Sequence, residues 1–231
     1  MRYKSILMAF LDTERFGFEE MYQLNMLCGF KLPVLDIDRF AREAANQIDL
    51  SKRRYGIGTH FLAPLGFYHP SVIEDRLIGN VTRGRLVKKK PLLPLYIYDY
   101  DEQGELVQIV SNETHQISFR EAEDQCEVFY TFDVNPRRTP EINALTLIQR
   151  EAERGIRKWI RFVWTGHLKF VVDVRAEICA ETPNGSICTR YMGGNDSYGC
   201  LRFADSTVYR LVQDDAGKTI RVEALPETPN S

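Results

Sequence analysis

His60 and His69 stand on either side of Pro64, with Glu74 and Asp75 just behind. Imidazole and carboxylate are the donor types of a zinc-type metal site and of general acid–base work, so a metal-dependent hydrolase would centre on His60 and His69. Two histidines nine positions apart match no ligand signature, and no third ligand follows from the spacing. The sequence therefore assigns no metal and no cofactor.

Three other chemistries come near and miss. Gly79 to Leu86 reads Gly-Asn-Val-Thr-Arg-Gly-Arg-Leu, close to a phosphate-cradling loop. Arg85 stands where a lysine must reach the phosphates, and Leu86 offers no hydroxyl to magnesium. Gly194 to Gly199 holds Ser197 but places the first glycine one position too far away for a nucleophile elbow. Cys200 follows that stretch with no histidine set beside it, so no catalytic residue is assigned.

Charge is the more informative signal. The 231 residues carry 30 basic and 32 acidic side chains, a net charge of −2, yet Pro91 to Pro136 holds ten carboxylates against Arg120 alone, a local charge of −9. Arg76 to Lys90 is the reverse, six basic residues and no acid. Like charges crowded on a turn focus the field and steer a partner of opposite sign. The expected partner-binding residues are Asp99, Asp101, Glu102 and Glu105 on one hairpin, joined by Glu121, Glu123 and Asp124. Tyr96, Tyr98 and Tyr100 flank them as aromatic anchors if their face is open. Arg83, Arg85 and Lys88 to Lys90, with Arg150, Arg154, Arg157 and Arg161 at helical spacing, give the alternative of a nucleic-acid contact. Glu151 and Glu153 offer that stripe the pairing of a solvated face instead.

The elements that must position these groups follow from periodicity. Ile37, Phe40, Ala41, Ala44, Ala45 and Ile48 recur at helical spacing behind Asp36, which predicts a capped helix over 37–49. Helices are also expected over 5–11 and 18–28, with loop through most of 51–94 and a short helix at 71–78. After Pro94 the period changes to two. Leu95 to Tyr100 and Glu105 to Val110 flank a four-residue turn, Cys126 to Phe132 alternates, and Leu168 to Ile178 places six apolar residues on one face and Lys169, Asp173, Arg175 and Glu177 on the other. Hairpins are expected around Pro183 to Gly185 and between 207–213 and 219–222. Thr139, Pro140 and the stripe from Ile142 to Trp159 predict one long helix over 140–159, covering the sheet.

Those elements make an α+β protein: a mainly helical part over 1–92, an antiparallel sheet over 93–225 covered by helix 140–159, and a frayed tail over 226–231, as two parts or one integrated domain. With 44% hydrophobic and 27% charged residues the chain falls outside disordered, collagen-like and coiled-coil classes. The apolar run Ile6 to Leu11 is too short for a signal peptide and no run approaches a bilayer span, so a cytoplasmic protein without a membrane partner is expected. Five cysteines without a Cys-x-x-Cys pair are expected to be reduced.

In general character, though through no specific motif, the chain is similar to immunity proteins of bacterial toxin systems, with an acidic patch and no catalytic signature. That resemblance implies a protein that binds and neutralises a basic protein partner, such as a nuclease toxin.

Overall fold

A strand buried on both faces loses its period, because inward and outward positions become equally apolar. The computed structural model describes residues 36–58, 64–74, 83–123, 125–164, 171–183, 185–195, 201–213 and 219–225. One helix is complete among them, α1 (Ile37–Ala45), beside twelve strands. These are β1 (Asp49–Ile57), β2 (Arg85–Val87), β3 (Tyr96–Tyr100), β4 (Leu106–Ser111), β5 (Gln116–Glu123) and β6 (Cys126–Asp133). They continue as β7 (Glu141–Glu151), β8 (Ile156–Trp164), β9 (Val171–Thr182), β10 (Gly185–Asn195), β11 (Leu201–Gln213) and β12 (Thr219–Ala224).

All twelve belong to one antiparallel sheet. From β3 to β12 each strand pairs with the next in sequence, while β1 lies between β3 and β2. The fold is therefore mainly β, and the α+β expectation is corrected. The described residues divide into two compact units, one of 36–122 with 127–145, the other of 123–126 with those from 146 onward.

The expected covering helix over 140–159 does not exist. Its place is taken by β7, a 3₁₀ turn at Ala152–Arg154, and β8. Strand β7 is buried at Ile142 and at every position from Ala144 to Gln149, so a helical stripe can be drawn through it by chance. Ile142, Thr146, Ile148, Ile156 and Ile160 are β-branched and stiff about χ1, which favours the pleated backbone. Gly155 sits at φ 59°, the left-handed conformation that reverses the chain between the two strands.

Other expectations hold in substance. Asp36 caps α1, its side chain accepting from the Asp38 N–H at 2.9 Å. The helix stops at Ala45, short of residue 49, and buries Phe40 and Ala44. The Phe40 ring meets Phe119, Tyr130 and Phe132 at centroid distances of 5.6, 4.9 and 5.5 Å, which fixes α1 on β5 and β6. The hairpin β3–β4 closes through Asp101–Glu105, with Gly104 at φ 90°. The hairpins β9–β10 and β11–β12 also form.

Residues 51–57, expected as loop, are strand β1. Its Lys52, Arg53 and Arg54 hide the alternation that a strand would otherwise show. At 71–78 the Ser71 hydroxyl accepts from the Ile73 and Glu74 N–H groups, and residues from 75 on lie outside the described set. The helices expected over 5–11 and 18–28, residues 168–170 and the tail 226–231 lie outside it too.

On the polar face of β9, Glu177 is fully buried. The expectation that all five cysteines are reduced is corrected: Cys179 and Cys188 stand directly opposite each other on β9 and β10 and form a disulfide. Antiparallel pairing makes that bridge geometrically available to residues nine apart, which a search for Cys-x-x-Cys cannot detect. Cys126 is buried, and Cys28 and Cys200 lie outside the described residues.

Candidate functional site

The acidic hairpin forms, but its carboxylates have different fates. Asp99 is buried on β3, where it takes Arg53 Nε and Nη2 at 2.5 and 3.1 Å and Gln108 Nε2 at 2.8 Å. The Asp99 carboxylate raises the Arg53 pKa further above its ordinary value. Glu105 pairs with Arg120 at 3.1 Å, and the same guanidinium reaches Glu127 at 3.4 Å. Glu121 accepts from the Tyr130 hydroxyl at 3.1 Å. Asp101 caps its own turn by accepting from the Glu105 N–H at 2.8 Å, while the Glu102 side chain is exposed. Glu123 is exposed, and Asp124 lies outside the described residues.

What remains open is a groove of about 760 Å³ between the chain following α1 and the β3–β4 turn, with Ile48, Asp49, Leu50, Asp101, Glu102 and Gln103 in its lining. Asp49 accepts from the Ser51 N–H, and this hydrogen bonding lowers its pKa, so it stays charged. Leu50 is 67% exposed at the same place. Three carboxylates thus converge with Ile48 and the exposed Leu50 where sequence spacing had named only two of the acids. Asp49 and Leu50 escaped notice because they become neighbours of Asp101 only through the pairing of β1 with β3.

A second groove of opposite sign, about 410 Å³, is lined by Lys52, Arg54, Leu86, Lys88, Tyr100 and Gly104. It ends a layer of tyrosines. Tyr96 and Tyr98 are buried and stack at 6.2 Å, the Tyr98 hydroxyl accepts from the Phe67 N–H at 2.8 Å, and the Tyr100 and Tyr68 hydroxyls share a bond of 2.7 Å. Burial pushes Tyr96 up to about 12 and drives Tyr98 and Tyr100 higher. Gly66, at φ 55°, lies so close that a Cβ there would strike Tyr98 and Tyr96. These tyrosines are core, and do not flank the hairpin as open anchors.

The remaining candidates are dispersed. His69 is buried, its Nδ1 accepts from the Ser71 N–H at 3.2 Å and its Nε2 lies 3.5 Å from Glu74, while His60 is outside the described residues. No group of three metal-type donors occurs among the described residues. Arg83 is bound to the carbonyls of Phe67, His69 and Ser71. The arginine stripe dissolves: Arg150 is the penultimate residue of β7, Arg154 pairs with Glu151 in the turn, and Arg157 and Arg161 belong to β8, Arg161 buried. No helix among the described residues is long and apolar enough to cross a membrane.

No protein-family model matches the chain, and no curated protein does. Among solved structures it is similar to a crystal structure of a protein of unknown function from Bacteroides fragilis NCTC 9343, with 18% identity over 48% of this chain and 89% of the other. The TM-score is 0.35, too low to support any statement about fold or function.

Proposed function

We propose that this chain is a protein-binding module without catalytic chemistry, whose acidic groove takes a basic segment of a protein partner. The observation that carries the reading is the convergence of Asp49, Asp101 and Glu102 around the exposed Leu50. Carboxylates in an open groove steer a basic chain and set its register, while the leucine adds apolar area that charge alone does not provide. A nuclease-type toxin is the concrete case of such a partner, because an enzyme that holds nucleic acid must carry a basic face. Inhibition would then consist of covering that face. The nucleic-acid alternative is weaker, since its arginine stripe is dispersed.

Fluorescence anisotropy with a labelled oligolysine peptide tests the groove. The wild type should bind with an affinity that falls as salt rises, and a Glu102→Lys variant with unchanged melting temperature should lose much of it. Equal affinity in the two proteins overturns the reading.

A further inference from the structure

A separate surface carries an inference of its own. Leu92 and Leu93 are 95% and 82% exposed, adjacent in sequence, and held on a short segment between Pro91 and Pro94. Single exposed leucines are ordinary, but two neighbours this bare form a small apolar knuckle. Lys88, Lys89 and Lys90 precede it, all exposed, and none has an ion-pair partner among the described residues. Lys88 also lines the basic groove with Lys52, Arg54 and Tyr100. Leu92 follows Lys88 by four positions, so the knuckle lies within about 14 Å of that groove.

We propose that this surface docks on an anionic lipid membrane, with Leu92 and Leu93 entering the interface and the basic groove receiving a lipid phosphate. Each half compensates for the other's weakness. Two leucines alone anchor weakly, and so do a few lysines, but interfacial binding becomes stable when apolar insertion and attraction to anionic headgroups act together. Tyr100 lines the groove beside these cations, its hydroxyl sharing a hydrogen bond with that of Tyr68. No carboxylate lines the groove. Such docking is peripheral and needs no spanning helix.

The same segment, Lys88-Lys89-Lys90-Pro91-Leu92-Leu93-Pro94, also has the spacing of a proline-rich ligand for an aromatic-lined protein groove. Exposure decides against that partner. Pro91 and Pro94 are half-buried while the leucines stand clear, the reverse of what proline docking requires.

Vesicle co-sedimentation with the full chain is the test, using phosphatidylcholine vesicles with and without phosphatidylserine. The wild type should sediment with the anionic vesicles, less so at high salt, and remain in solution with phosphatidylcholine alone. Leu92→Glu/Leu93→Glu should reduce partitioning on the order of a hundredfold, and Lys88→Glu/Lys89→Glu should abolish it, with melting temperatures unchanged because these side chains are exposed. Retention by the leucine variant overturns the proposal. So does a wild type that ignores anionic vesicles, or one that binds soluble glycerophosphoserine as tightly as the vesicle, which would make the groove a site for a free anion. A wild type that ignores the vesicles but binds a proline-recognising domain with an aromatic-lined groove, and loses that binding on Pro91→Ala/Pro94→Ala, would assign the segment to a protein groove instead.

Discussion

Trp159 on β8 and Glu177 on β9 stand directly opposite each other, and the indole N–H donates to the Glu177 carboxylate at 3.0 Å with both side chains buried. A buried carboxylate is tolerated only when hydrogen bonds replace its hydration. Trp159→Phe keeps most of the apolar area and removes one donor to that charge. It should cost about 2–3 kcal/mol by denaturant titration, the scale of a hydrogen bond to an ionised group. Glu177→Gln keeps an acceptor for the indole and should cost less. Equal losses in the two variants would show that the indole bond is not what holds the carboxylate.

That pair also marks how far the sequence could be read. Strands in which polar residues alternate with apolar ones were legible, as in β6, where Glu127, Thr131 and Asp133 mark a second face although Val128 to Phe132 are all buried, and so was α1 with its Asp36 cap. Strand β7 was not, because it offers no polar half to reveal its period. Gly155 was the overlooked signal. A glycine within an apparent 20-residue helix costs helical stability, and here it marks a chain reversal. Strand β1 was hidden for a different reason: Arg53 looks like surface until Asp99 is found beside it. The groove acids were half legible, since Asp101 and Glu102 lie in an exposed turn by local chemistry, whereas Asp49 reaches them only through long-range pairing.

Glu151 gives the chain a defined acid sensitivity. It accepts from Lys158 and from Arg154, each at 3.0 Å, and the Lys158 hydrogen bond is the largest influence holding its pKa below the usual 4.5. A folded-state value below the unfolded one means the stabilisation is complete above pH 4.5 and is lost as pH falls through the folded value. Melting temperatures measured from neutral pH down to about pH 3 should therefore fall more steeply for the wild type than for Glu151→Gln. Parallel curves would remove this pair from the acid response.

The Cys179–Cys188 bridge should be detected by counting thiols in the unfolded chain. Two fewer should react before reduction than after it. Its contribution to stability is bounded by the loop it closes. A ten-residue loop corresponds to about 2.7 kcal/mol of lost chain entropy, and the β9–β10 register already brings these residues together in the folded state. Cys179→Ala/Cys188→Ala should thus lower stability by no more than that and leave a cooperative transition. A variant that fails to fold at all would show the bridge to be a requirement for folding.

The acids of the β3–β4 hairpin should separate into two classes by stability and by binding. Asp99 has no exposure and takes three hydrogen bonds from Arg53 and Gln108, so Asp99→Ala withdraws a paired carboxylate from a part-buried guanidinium. Removing one partner of a fully buried pair costs about 3–5 kcal/mol. Arg53 is 32% exposed and can recover some hydration, which brings the expected loss to about 2–3 kcal/mol. Asp101→Lys removes one turn-capping hydrogen bond and should cost about 1 kcal/mol. Glu102→Lys changes only an exposed side chain and should stay within about 0.5 kcal/mol. Binding of a basic peptide should rank the two groove residues the other way, with Glu102→Lys weakening it at almost no cost in stability. Chemical denaturation of all three variants, set beside peptide anisotropy, reads both orders. If Glu102→Lys proved as destabilising as Asp99→Ala, the division between an internal ion pair and an open acidic groove would be wrong.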